Sequence, residues 1–135
     1  MRLDPYISVD GQAFSATRED IVGARGLPAS EERNEVGLTA LDYGDVVFRF
    51  QDCGRLEEVT VRAPVVHFGT VSVPFSCLKA FIREHDPDAF ERASFLISPR
   101  FGLAFVPGEP DWVTALAQHC IEQWALLRPH WPAAH

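Results

Sequence analysis

A chain of 135 residues, 47% hydrophobic and 11% aromatic, can bury a core as one domain spanning residues 1–135, which excludes intrinsic disorder. Its net charge of −7 speaks against nucleic acid and anionic membrane as partners, because both require clustered Lys and Arg. No apolar run reaches the length of a membrane span, the N-terminus MRLDPYISVD lacks the apolar stretch of a signal peptide, and three widely spaced cysteines fit a reducing compartment; the reading is a cytoplasmic protein.

In chain order, Tyr6 to Val9 alternates as a short strand that stops at Asp10-Gly11. Thr17 and Asp20 have the spacing of a capping box, and the helix that they open ends near Arg25 at Gly23, Gly26 and Pro28. Residues 29–37, ASEERNEVG, read as a polar loop or a weak helical turn. Leu38 to Tyr43 is a strand, and Val46–Phe50 with Leu56–Arg62 forms a hairpin around Cys53-Gly54. Its register follows from charge. Setting Arg49 opposite Glu58, Asp45 opposite Arg62 and Asp52 opposite Arg55 also sets Val46 against Val61 and Phe48 against Val59 on the other face.

Val65 to Val73 is an extended run with Gly69 as a bulge, and Pro74 opens a helix with Phe75, Leu78, Phe81, Ile82 and His85 on one stripe. Asp86-Pro87 stops it, and Asp88 to Arg92 adds one helical turn. Ser94–Ile97 and Phe101–Val106 form a second hairpin. From Asp111 to Leu127, Val113, Leu116, Ala117, Cys120, Ile121, Trp124 and Leu127 recur at helical steps, so a third helix is expected, followed by a frayed tail. The fold class is therefore α+β, a mainly antiparallel sheet of hairpins with about three helices packed on it. Tyr43-Gly44-x-Val46-Val47 echoes Phe101-Gly102-x-Ala104-Phe105, which raises an internal αββ duplication. Val59-Thr60 would then match Val113-Thr114, although the second pair falls in the expected helix.

No residue set carries catalysis or a metal. On a helix, His119 and Cys120 point about 100° apart and cannot share an ion, and Cys53, Cys77 and His85 lack zinc-ligand spacing. Cys77 and Cys120 fit helix faces as buried small hydrophobes, whereas Cys53 sits at a hairpin tip. No nucleophile elbow, P-loop or dinucleotide fingerprint occurs, so the expectation is a non-enzyme without catalytic residues, metal or cofactor. What stands out is charge: between Glu31 and Glu58 lie eight acids and three arginines. In the register above, Glu31, Glu32, Glu35, Asp42 and Glu57 have no cross-strand partner. They form either a solvated face or a surface for a basic partner protein.

The run from the first helix through Gly26-Leu27-Pro28, the polar loop, Tyr43-Gly44, Val47-Phe48-Arg49-Phe50 and Leu56-Glu57-Glu58-Val59 resembles the helix–Gly-x-Pro–hairpin unit of small bacterial immunity and inhibitor modules. It covers about residues 14–62. The resemblance implies a cytoplasmic immunity protein that neutralises a cognate protein toxin, of the type VI secretion or polymorphic-toxin kind. A homodimer is compatible with it. The alternatives are a small enzyme whose site is assembled non-locally and a homo-oligomeric adaptor or chaperone.

Overall fold

The computed structural model describes residues 1–35 and 37–121. It is mixed α+β and mostly antiparallel. Three two-residue strands, β1 (Leu3–Asp4), β2 (Ser8–Val9) and β3 (Gln12–Ala13), form a small sheet, and α1 (Arg18–Arg25) follows. Then come β4 (Ser30–Arg33), β5 (Leu38–Asp42), β6 (Val46–Gln51) and β7 (Leu56–Arg62). A hairpin of β8 (Val65–Phe68) and β9 (Val71–Pro74) leads into α2 (Phe75–His85). The described strands close with β10 (Phe90–Arg92), β11 (Phe95–Ser98), β12 (Leu103–Phe105) and β13 (Trp112–Leu116), and a further helical stretch is described from Gln118 to Ile121.

The principal sheet has eight strands in the order β10-β11-β12-β13-β7-β6-β5-β4. Each half is a helix followed by a four-stranded meander, and the fourth strands, β7 and β13, pair antiparallel with Thr60 opposite Thr114. Period-2 alternation sends Leu41, Val46, Phe48, Val59, Val61, Leu96, Leu103, Phe105 and Val113 into one core, where Ile21 of α1 and Phe75, Leu78 and Ile82 of α2 cover them. The opposite, outer face carries a smaller cluster of Ile97, Ala104, Leu116, Ala117 and Cys120.

Capping at α1 is as the spacing predicts: the Thr17 hydroxyl accepts from Asp20 N–H at 3.2 Å and the Asp20 carboxylate accepts from Thr17 N–H at 2.9 Å. The hairpin register holds from Val46↔Val61 to Arg49↔Glu58, after which a bulge sets Phe50 opposite Leu56. At the two ends of the hairpin the expected charge pairs change. Asp52 binds Arg33 of β4 at 2.6 Å instead of Arg55. Asp45 meets Arg62 through its carbonyl, which accepts Arg62 N–H at 3.0 Å, while the Arg62 guanidinium lies 5.5 Å over the Trp112 ring.

Five further expectations are corrected. The polar segment 29–37 contributes an edge strand, because β4 needs only backbone bonds to β5 and buries no side chain. The run 65–73 folds back on itself, with Gly69 at φ +61° in the turn and not in a bulge. Residues 90–92 pair with β11 instead of extending a helix. Trp112–Leu116 is a strand: its β-branched run fits the gap between β7 and β12, where Val113 and Ala115 point inward. Cys77 is exposed, because Phe75, Leu78 and Ile82 define the buried stripe of α2 and Cys77 lies off it; Cys53 is exposed and Cys120 buried, as expected. The remainder of the expected third helix, with Trp124 and Leu127, and the tail after it lie outside the described residues.

Asp86, which ends α2, is itself buried. Its carboxylate accepts Ser98 Oγ–H at 2.6 Å and the N–H groups of Arg100 at 3.0 Å and Asp88 at 2.9 Å, tying the helix to the β11–β12 turn. Tyr6 donates its hydroxyl to the Pro99 carbonyl at the same turn, and burial with the nearby Asp86 charge pushes its phenol up to about 12. Gly102 is required there twice over, since its φ is +62° and an added Cβ would sit 3.0 Å from the Tyr6 ring.

Candidate functional site

The acidic residues converge on one edge of the principal sheet. Among the described residues β4 is its last strand, hydrogen-bonded to β5 alone, and every residue from Ser30 to Arg33 is exposed. Alternation splits its charges between the two faces. Glu31, opposite the inward Leu41, reaches Arg18 of α1 with oxygens 2.5 and 3.3 Å from the guanidinium. That bond holds the Glu31 carboxyl below the usual glutamate range and raises Arg18. Arg33 likewise binds Asp52 and lowers its carboxyl. Between these pairs runs a groove of about 420 Å³ beside Thr17, Thr39 and Phe50.

Glu32 lies opposite Ala40, which in turn faces Arg49, so it belongs to the outer face. Glu35 is exposed just past the strand. Asp42, half-buried at the end of β5 and opposite Ser30, accepts Gly44 N–H at 2.7 Å and shapes the turn into β6. Glu57 departs from expectation. Displaced by the bulge, it is 2% exposed and bonded to His119 Nε2, so it is not part of a surface. Four of the five predicted residues therefore stand at or next to the edge. Glu32, Glu35 and Asp42 join no ion pair among the described residues, and of these three Glu32 and Glu35 are exposed.

Among the described residues two imidazoles have side-chain polar partners. His67 Nδ1 lies 2.8 Å from Ser72 Oγ across the exposed β8–β9 hairpin, a geometry that direct cross-strand opposition produces by itself. His119 and Glu57 join the start of the last helical stretch to β7. Among the described residues no three His, Cys, Asp or Glu side chains come together as metal ligands, and no helix is long and apolar enough to cross a membrane.

Beyond the edge, one outer-face row crosses all eight strands: Ser30, Asp42, Val47, Thr60, Thr114, Ala104, Ile97 and Phe90. Its centre, Thr60 and Thr114 with Trp112 beside them, escapes sequence reasoning because a helical period in 111–127 conceals the strand that carries Thr114 and Trp112. The Val-Thr pair common to both halves was the available signal. Compared with known proteins, the chain matches no family model, no curated protein and no solved structure.

Proposed function

We propose that this chain is a cytoplasmic immunity protein that binds a basic surface of a cognate bacterial toxin with its acidic sheet edge. The observation that carries the reading is β4, an edge strand exposed at every residue, with Glu32 and Glu35 outside any ion pair among the described residues. An open edge offers backbone donors and acceptors to an incoming segment. Its charge also selects the partner. In a two-fold antiparallel pairing of two β4 strands centred on either glutamate, Glu31 would face Glu31 or Glu32 would face Glu32 of the second copy, which disfavours self-association. A basic partner gains faster association and a fixed orientation. We further read the two helix–meander halves as an internal duplication, a reading supported by the shared element order and the Thr60–Thr114 pivot.

Co-expression with the product of the adjacent gene tests this reading. The wild type is expected to protect the host cell, and the double variant E32K/E35K to protect less and to associate at least tenfold more slowly at low salt, with an unchanged circular dichroism spectrum. Full protection by the double variant would reduce the edge to a solvated face, and a harmless neighbour would remove the immunity reading itself.

A further inference from the structure

The outer face of the principal sheet holds a cavity whose chemistry points to a ligand of a different kind. Thr60, Thr114 and Ala104 occupy consecutive positions of one cross-strand row, and all three side chains are small. The rows on either side carry long ones: Arg49 and Glu58 on one, Trp112 on the other. Short side chains between tall ones leave a cradle of about 320 Å³ in the middle of the sheet.

Its polar wall is pre-set. Arg49 donates from Nη1 to Thr60 Oγ1 at 2.7 Å rather than to Glu58, although Glu58 stands directly opposite it, and Thr60 Oγ1 is 2.8 Å from Thr114 Oγ1. The guanidinium is thereby oriented by the floor of the cradle, with further N–H groups to offer a ligand. Glu58 beside it is half-buried, and burial pushes its carboxyl up despite Arg49. One fixed donor and one acceptor thus share a wall. The Trp112 ring closes the opposite side, with the Arg62 guanidinium 5.5 Å from its centre.

A ligand anion would meet Glu58 and Glu109, and a cation would meet Arg49; a neutral group with an acceptor next to a donor satisfies both. We propose that this cradle binds a small, neutral, planar heterocycle with a lactam edge, its carbonyl accepting from Arg49, its N–H donating to Glu58 and its ring lying along Trp112. The site is separate from the β4 edge and does not depend on the immunity reading.

Calorimetric titration of the full chain with uracil tests the proposal, with benzoate and benzylamine as the anionic and cationic comparisons. Saturable uracil binding is expected, at least tenfold tighter than either charged probe. R49M and E58L should each weaken it tenfold or more, and T114F, which fills the cradle from a half-exposed position, should abolish it. Circular dichroism and the melting transition of each variant separate lost binding from lost fold. Absent or non-saturable uracil binding, equal affinity for benzoate or benzylamine, or uracil binding that survives both R49M and T114F in folded protein would overturn the assignment.

Discussion

The two halves of the principal sheet share their inner face and differ on their outer one. About the Thr60–Thr114 pivot, Phe48 corresponds to Phe105, Val46 to Leu103, Leu41 to Leu96 and Val59 to Val113, and all eight are buried. On the outer face the same relation sets Asp42 against Ile97 and Glu58 against Trp112. A shared core must be filled at native density on both sides of the pivot, so matched positions hold matched volumes. The outer face is under no such common demand. In the first half it stays polar and continues into the acidic β4 edge, whereas in the second it builds the cluster around Ile97, Ala104 and Leu116. The cradle lies where the two characters meet.

The largest test of this comparison is the pair of matched aromatics. Phe48→Ala and Phe105→Ala should each cost about 3–5 kcal/mol by lost transfer energy and cavity formation, and should agree within about 1 kcal/mol. Urea unfolding of both variants measures this, and a gap above about 2 kcal/mol would mean that the halves do not share one core equally. The turn-forming aspartates should differ. Asp86→Ala strips acceptors from a buried hydroxyl and two N–H groups and should cost about 3 kcal/mol, while Asp42→Ala removes one bond at a half-exposed turn and should cost about 1 kcal/mol or less. Near-equal losses would contradict the burial contrast between them.

A smaller effect separates the helices. α1 has a reciprocal capping box and α2 has no side-chain cap, so Thr17→Ala should cost about 1 kcal/mol, read as a shift in the urea midpoint. The smallest is a pH effect at Glu58. Burial raises its carboxyl in the folded state, so ionisation weakens the fold. Relative to E58Q, the wild type should therefore lose stability as pH rises from the ordinary glutamate range through the raised native value, with no such difference below that range. A profile parallel to that of E58Q across this window would show that Glu58 is as well solvated as in the unfolded chain.

Residues with a strong local cause were legible in the sequence. Thr17 and Asp20 are close enough to cap α1 whatever surrounds them, and the facing charges of Arg49 and Glu58 set the β6–β7 register as far as the bulge. The acidic edge was legible as composition, and Glu31, Glu32 and Glu35 are indeed exposed. Glu57 was not, because a one-residue bulge reverses the side of the sheet to which a side chain points, and no local signal marked it.

By itself the sequence determined the α+β class, the buried alternation of β6 and β7, the capped first helix and the second helix with its stripe, since each rests on contacts within a few residues or one hairpin. Only the tertiary structure decided that Ser30–Arg33 and Trp112–Leu116 are strands. The first is too polar and the second too ambiguous in period to declare itself. Each becomes a strand because a neighbour, β5 for one and β7 with β12 for the other, presents backbone groups that have to be paired. The cradle follows from the same pairing: Thr60 and Thr114 are 54 positions apart in sequence, and they meet only when β7 and β13 bring the two halves together.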